Sequence, residues 1–261
     1  MSTDFYRDLE FFDAVPEPRL RRRFPMIELL FLFGIIAVLI AASMDDVYHC
    51  DWPAARRAQC QSNLHQIALA LRMYEAEYKT LPPAFTVDAQ GRPLHSWRTL
   101  ILPYLVDFDL ENKNLYASIN LSKPWNDPTN ATAQTKRIGA FHCPESRVLG
   151  NATTSLAIVA DNGCLLPTKP RPVADILDDH GSTLMVIEVN DEKAIPWMAP
   201  MDADEELVLS LGLPKSNLHH SGGMNAAFVD GSIRFVKANT KPDVLRSLVS
   251  IAGGEKKTDL K

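Results

Sequence analysis

The sequence predicts an α+β fold in which an N-terminal transmembrane helix precedes a domain built from a helix packed on an antiparallel sheet. Residues 24–44 form an almost uninterrupted apolar run, which predicts the membrane helix. Residues 53–79 repeat apolar side chains at steps of three and four, which is typical of a helix with one buried face. Near the C-terminus, Asp230-Gly231 separates two alternating segments, which predicts a β-hairpin.

The composition is that of an ordinary globular protein. Of 261 residues, 46% are hydrophobic and 23% are charged, so the chain can bury a core. Acidic residues (32) outnumber basic ones (27), and no Lys/Arg cluster lies on a predicted folded element, so we expect no nucleic-acid partner. Nucleophile-elbow, phosphate-loop and zinc-protease motifs do not occur, so the sequence predicts that the protein is not an enzyme.

The apolar run at 24–44 is long enough to cross a membrane. Its 21 residues contain one charge, Glu28. As a helix they would rise about 32 Å, against about 30 Å for a bilayer core. Arginines precede the run and aspartates follow it, so the positive-inside rule puts residues 1–23 in the cytoplasm and residues 45–261 outside. A buried core helix and a secretory signal peptide are the alternatives, but both usually have shorter apolar segments.

A second helix is predicted over about 53–79. Pro53 suits a first helical turn, and Leu81-Pro82-Pro83 ends the pattern. One face carries the apolar residues Cys60, Leu64, Ile67, Ala68, Leu71, Tyr74 and Tyr78. Short runs rich in β-branched residues predict strands at 156–160 and 183–189.

The predicted hairpin has a two-residue turn at Asp230-Gly231. In that register Phe228 lies opposite Ile233, and Ala226 lies opposite Phe235. One apolar face would then consist of Met224, Ala226, Phe228, Ile233 and Phe235.

The start of the apolar run resembles the start of type IV prepilins and pseudopilins. The residues that carry this resemblance are Arg21-Arg22-Arg23-Phe24-Pro25-Met26-Ile27-Glu28. In that family a prepilin peptidase cuts just before the Phe, and the Glu pairs with the freed N-terminus of a neighbouring subunit. Phe24 and Glu28 match these positions, whereas Arg23 stands where the family has Gly. The resemblance implies other pilin-like subunits as partners; because of Arg23, we expect an uncleaved anchor, with cleavage before Phe24 as the alternative.

A second resemblance covers about 24–255. His220, nine intervening residues and Asp230-Gly231 form the H-x9-DG tail of an uncharacterised bacterial family of pilin-like proteins, whose label suggests solute binding. Further matching pieces are residues 54–64, Leu81-Pro82-Pro83, Ser96-Trp97-Arg98, Pro124-Trp125-Asn126, Phe141-His142-Cys143-Pro144 and 184–188. The resemblance implies a single-pass inner-membrane protein whose 45–261 domain, with the hairpin at 220–236, lies in the periplasm or at the cell surface. It implies no reaction.

Two functions follow as hypotheses. The first is a structural or assembly protein of pseudopilin or minor-pilin type, acting with secretion machinery or in a surface fibre. The alternative is a membrane-tethered binding module for a small solute or glycan. Trp97, Trp125 and Trp197 could line its pocket if they are exposed, although half-buried core positions are the favoured interpretation of these tryptophans. A tethered hydrolase is a more distant third.

The polar candidates are interpreted structurally. Asp230 and Gly231 are expected to form the turn, with His220 near the other end of the sheet, because ten residues of strand span up to about 33 Å. We expect no cofactor and no metal, with calcium held by Asp178, Asp179 and Glu188 as a weak alternative.

All four cysteines follow the membrane run, so an oxidising compartment is expected. We predict a Cys60–Cys143 disulfide, because Cys60 lies on the apolar face of the helix and Cys143 precedes Pro144, where a strand end could meet that helix. Both also lie in pieces that match the family. Free buried thiols are the alternative.

Overall fold

The computed structural model describes residues 30–38, 53–105, 110–160, 162–211 and 217–254. The chain divides into two units after residue 50. The N-terminal unit is described only at 30–38, which are helical (α1). The predicted anchor at 24–44 is therefore described only in its middle, and Arg23, Phe24 and Glu28 lie outside the described residues. Among the helices described, none combines the length and apolarity needed to cross a bilayer.

The second unit contains six α-helices and eight strands among its described residues. The helices are α2 (Pro53–Tyr78), α3 (Trp97–Ile101), α4 (Leu110–Ser118), α5 (Ala131–Gln134), α6 (Glu205–Leu211) and α7 (Pro242–Val249). The strands are β1 (Phe85–Val87), β2 (Pro93–Ser96), β3 (Ala152–Thr153), β4 (Ser155–Ala157), β5 (Leu184–Glu188), β6 (Ile195–Pro196), β7 (Gly223–Phe228) and β8 (Ile233–Lys237). Short 3₁₀ helices lie at Leu102–Tyr104, Pro128–Asn130, Gly139–Phe141, Val173–Asp175, His180–Ser182 and Asp191–Lys193.

The central element is a four-stranded antiparallel sheet with the order β4-β5-β7-β8. Two antiparallel strand pairs, β1-β2 and β3-β6, lie outside it. Every residue of β5 and β7 is buried. Helices and antiparallel sheets together confirm the mixed α+β class expected from the sequence.

Helix α2 covers one face of this sheet. Its predicted apolar stripe is buried at Leu64, Ile67 and Leu71, which share a core cluster with Val186 of β5 and Ala227 of β7. At the end of the stripe Tyr74 is half-buried and Tyr78 is exposed. The periodicity of the sequence therefore identified both the helix and the side that packs.

The other face of the sheet is covered by α6 and α7. Val208 of α6 and Leu248 of α7 share a second core cluster with Ile187, Ala226 and Phe228. The sheet therefore lies between two helical layers, which is why its central strands are buried on both sides.

The predicted register of the hairpin is wrong by one residue. Ala227 lies opposite Ile233, and the N–H of Gly231 donates to the carbonyl of Phe228 at 2.9 Å, so residues 229–231 form a three-residue loop. Gly231 has φ +84°, and the other two loop residues have no positive φ. This is the arrangement of a type I turn followed by a glycine bulge, whereas the prediction assumed positive φ at both Asp230 and Gly231.

The extra loop residue moves β8 side chains to the other face. Ile233 packs in the cluster beneath α2, and the guanidinium of Arg57 lies 3.7 Å from the ring centroid of Phe235. The predicted face shared by these two residues with Phe228 is therefore wrong. Arg234 takes that place instead, with its guanidinium 4.3 Å from the Phe228 ring centroid.

Candidate functional site

Four buried side chains with metal-binding chemistry meet where β5 ends and β7 begins. Cys60 comes from α2, and Cys143 follows the 3₁₀ helix Gly139–Phe141. Glu188 is the last residue of β5, and His220 precedes β7, forming a bridge with Gly223. Their ligand atoms all lie within 4.8 Å of one another. We call these four residues the cysteine cluster.

Two members of the cysteine cluster are joined covalently. Cys60 and Cys143 form a disulfide with a Cα–Cα distance of 5.3 Å, inside the range of about 4.4–6.8 Å that disulfides require. This is the pairing expected from the sequence. The bridge closes a loop over a sequence separation of 83, for which the chain-entropy model gives about 4 kcal/mol of stabilisation.

The other two members are an ionisable pair beside the disulfide. His220 Nε2 lies 3.7 Å from Cys143 Sγ and 3.3 Å from Glu188 Oε2. The residues are only 6% and 4% exposed. Burying a histidine and a carboxylate together costs desolvation free energy. A disulfide does not need ionisable neighbours, so the bridge alone does not explain why this pair is buried.

Hydrogen bonds from neighbouring residues fix the positions of the cluster. The Asn225 side chain donates through Nδ2 to Glu188 Oε2 at 2.7 Å and accepts from Gln61 Nε2 at 3.3 Å. The backbone N–H of Cys143 donates to Thr154 Oγ1 at 3.1 Å. Both partners of the carboxylate, His220 and Asn225, belong to the β7 region, so Glu188 cannot move without breaking contacts between strands.

Sequence reasoning identified half of this site. It paired the two cysteines, but it assigned His220 a packing role and Glu188 a weak calcium role. A histidine in a family signature and a carboxylate ending an apolar strand were the available signals. They do not show proximity, because the four residues lie on four elements that meet only in the folded chain.

The structure does not bring the calcium candidates together. Asp178 accepts hydrogen bonds from the N–H groups of Gly253 and Gly254 at 2.8 and 2.9 Å. Asp179 accepts from Ser182 Oγ at 3.1 Å, whereas Glu188 is at the far end of β5. Within the described ranges, the cysteine cluster is the one group of three or more Cys, His, Asp or Glu side chains whose ligand atoms converge.

His220 and Asp230 lie at opposite ends of β7, as their spacing indicated. Asp230 Oδ1 accepts from the Ser232 N–H and hydroxyl at 2.8 and 2.6 Å, and its carbonyl accepts from Arg72 at 3.0 Å. The Asp-Gly end of the H-x9-DG pattern therefore forms a turn, and the His end enters the cysteine cluster.

The tryptophans do not form the solute pocket that was considered. Trp97 and Trp197 are buried in the core, where their indole N–H groups donate to Asp202 Oδ1 and to the Lys136 carbonyl, both at 3.0 Å. Trp125 is half-buried against the same core. Trp97 and Trp197 are therefore core residues, as the favoured interpretation had it, and they do not line an aromatic surface pocket.

A buried ion pair escaped sequence reasoning. Arg98 Nη2 lies 2.5 Å from Asp202 Oδ1, and that oxygen also accepts from the Ala157 N–H at 2.9 Å. Burial lowers the pKa of Arg98 and raises the pKa of Asp202, and each charge opposes the shift of the other. The pair connects α3 to β4 and leaves the guanidinium enclosed, so its role is structural.

A polar cavity of about 290 Å³ is lined by residues that include Glu145, Asp191 and His219. These residues are close in sequence to members of the cysteine cluster but do not belong to it. His219 Nε2 lies 2.7 Å from Asp191 Oδ1. Burial raises the pKa of Asp191, but hydrogen bonds from Ser146 and His219 outweigh it, so the pKa lies below its usual value. The lining of this cavity therefore contains a histidine and several carboxylates.

Residues 53–161 match the model of a family described as "Protein of unknown function (DUF1559)". The match confirms the resemblance to an uncharacterised family that the sequence pieces indicated. It runs from α2 to just beyond β4, so it includes Cys60 and Cys143 but ends before Glu188 and His220. No curated protein and no solved structure matches the chain.

Proposed function

We propose that the chain is a membrane-anchored, pilin-like structural or assembly protein of pseudopilin or minor-pilin type, without an enzymatic reaction. The observation that carries this proposal is helix α2. It follows the apolar run at 24–44 by a short interval and packs its apolar stripe on the antiparallel sheet. Residues 54–59 of this helix are exposed or half-buried, so they offer a surface to other subunits.

The proposed location follows from the charges and the disulfide. Residues 1–23 would lie in the cytoplasm, 24–44 would cross the inner membrane, and 45–261 would lie in the periplasm or at the cell surface. The Cys60–Cys143 disulfide supports an oxidising compartment for the second unit. The proposed partners are other pilin-like subunits or secretion machinery, with the prepilin peptidase as a further partner.

Anchoring is tested by membrane fractionation of the full-length chain. We expect it in the membrane fraction, resistant to carbonate washing, and we expect deletion of 24–44 to release it. Mass spectrometry of the mature N-terminus reports cleavage: an intact start supports the uncleaved anchor, and a chain beginning at Phe24 supports prepilin processing. Full-length protein that is soluble without proteolysis would refute the anchoring.

Assembly is tested with Glu28→Gln. If Glu28 pairs with a neighbouring subunit inside the membrane, the neutral amide should lower cross-linked assemblies about tenfold, equivalent to about 1.4 kcal/mol. Membrane insertion should not change. Glu206→Gln, at an exposed position of α6, is the matched control and should assemble normally. Equal cross-linking of the two variants would show that Glu28 takes no part in assembly, and only monomer in the parent chain would refute the assembly role.

The polar cavity beside His219 favours a second candidate, a tethered binding module for a small polar solute or glycan. The test is thermal melting of the full chain against panels of amino acids, polyols and oligosaccharides, with His219→Gln as the site variant. A melting shift that His219→Gln abolishes supports this candidate, and the absence of any shift excludes it for those ligands.

A further inference from the structure

We propose that, when the Cys60–Cys143 disulfide is reduced, the cysteine cluster binds one Zn²⁺ through two thiolates, an imidazole and a carboxylate. The proposal is independent of the proposed function, because it concerns the buried cluster of the second unit. It starts from one observation: two ionisable side chains, each at least nine-tenths buried, point their ligand atoms at a disulfide.

The distances between donor atoms fit tetrahedral zinc. With Zn–S of about 2.3 Å and Zn–N and Zn–O of about 2.0–2.1 Å, tetrahedral geometry separates S and N by about 3.6 Å and N and O by about 3.4 Å. The observed separations are 3.7 Å from Cys143 Sγ to His220 Nε2 and 3.3 Å from His220 Nε2 to Glu188 Oε2. Two edges of the coordination tetrahedron are therefore already in place.

The remaining adjustment concerns the sulfurs. In a zinc site they lie about 3.8 Å apart, farther than in a disulfide. Rotation of the Cys60 side chain about its Cα–Cβ bond can supply this change, while Cys143 Sγ keeps its distance to His220. The backbone positions are fixed independently, by α2 for Cys60 and by the bond from the Cys143 N–H to Thr154.

The donor set and its surroundings favour zinc. Thiolate and imidazole ligands select Zn²⁺ over Ca²⁺ and Mg²⁺, which take oxygen ligands. Asn225 holds the Glu188 carboxylate at 2.7 Å and is itself held by Gln61, the neighbour of Cys60. Such outer hydrogen bonds orient ligands in zinc sites.

The chemical steps balance. A dithiol reductant gives two electrons and two protons to the disulfide and becomes a disulfide itself, leaving Cys60 and Cys143 as thiols. Zn²⁺ then displaces the two thiol protons to water and accepts the neutral Nε2 of His220 and the carboxylate of Glu188. The bound site carries a net charge of minus one, which the Asn225 donors to the carboxylate partly offset. A disulfide oxidant reverses the sequence: it accepts two electrons from the thiolates and becomes a dithiol, while Cys60–Cys143 re-forms and Zn²⁺ is released.

The experiment uses the full chain in detergent, reduced with a phosphine under anaerobic conditions and then desalted. Zn²⁺ binding is measured by competition with a chromophoric chelator and by elemental analysis. We expect one Zn²⁺ per reduced chain and none per oxidised chain. Co²⁺ provides a spectroscopic probe, because thiolate ligation in a tetrahedral site gives charge-transfer and d–d absorption bands.

The variants separate this site from adventitious binding. His220→Gln and Glu188→Gln should each weaken Zn²⁺ binding by more than about 100-fold, since changes to outer partners alone cost about 10–100-fold. His65→Gln, at an exposed position of α2, and Cys164→Ala remove an imidazole and a thiol outside the cluster and should bind as the parent does.

Circular dichroism follows folding in the same samples. A reduced chain that stays folded and takes one Zn²⁺ supports the proposal, as does a reduced chain that unfolds and refolds with one Zn²⁺. A reduced chain that takes no Zn²⁺ overturns the proposal. Binding that survives in both His220→Gln and Glu188→Gln also overturns it.

Discussion

The two ends of β7 serve different physical purposes, although one sequence pattern includes both. At the His220 end, ionisable side chains are enclosed beside a disulfide, and the contacts there join α2, β5 and the segment after Phe141. At the Asp230-Gly231 end, the Asp230 side chain is exposed and bonds within its own turn, and its carbonyl also accepts from Arg72 of α2. The first end depends on buried side chains that are distant in sequence, whereas the second depends mainly on local backbone conformation. Substitutions at the His220 end should therefore lower the free energy of unfolding more than substitutions at the Asp230-Gly231 end.

The largest expected effect is loss of the disulfide. Cys143→Ser should lower the free energy of unfolding by about 4 kcal/mol, because the unfolded chain regains the entropy of an open loop. Chemical denaturation of the oxidised parent and the variant measures the difference. Reduction of the parent without metal should reproduce most of the loss, whereas reduction of the variant should change nothing further. A variant as stable as the oxidised parent would contradict the bridge.

The second-largest effect is expected at the buried pair His220 and Glu188, at the same end of β7. His220→Leu should cost about 3 kcal/mol, because it leaves the Glu188 carboxylate buried without its ionisable partner. Replacing both residues by Leu should recover most of that loss, since neither desolvated group remains. Urea denaturation of the oxidised single and double variants measures the coupling. Purely additive losses would mean that the two side chains do not interact.

The local end of β7 was more predictable from sequence than the buried end. Asp230-Gly231 correctly located a turn, and the apolar steps of α2 correctly located a buried face. The register was missed because Asp-Gly fits both a two-residue loop and a three-residue loop with a glycine bulge. Packing beneath α2 distinguishes them, since the longer loop turns Ile233 and Phe235 toward that helix.

The candidate site was also harder to predict from the sequence, because it depends on contacts between distant parts of the chain. Cys60 lies on the predicted buried face of α2, Cys143 lies just before Pro144, and both lie in pieces that match the family, which was sufficient to pair them. Glu188 and His220 also lie in matching pieces, but nothing in the sequence indicates that they are close, because their proximity arises from the antiparallel pairing of β5 with β7. The Arg98–Asp202 pair was missed similarly: the positions of two charges along the chain do not reveal that folding encloses them together.

The smallest expected effect is at Gly231, and it tests whether the turn end is governed by backbone conformation alone. Gly231 has φ +84°, where a side chain is strained, yet an added Cβ would meet Arg72 no closer than 3.4 Å. Gly231→Ala should therefore cost only about 1 kcal/mol, from strain and not from a clash.

Gly139→Ala is the matched control, because an added Cβ there meets open space and φ is not positive. It should be neutral or slightly stabilising, since alanine reduces the freedom of the unfolded chain. Thermal unfolding of both variants, with the disulfide intact, gives the difference. If Gly231→Ala were as stable as Gly139→Ala, positive φ would not be what this turn requires. If it were as costly as His220→Leu, the turn would carry long-range packing, and the contrast between the two ends of β7 would not hold.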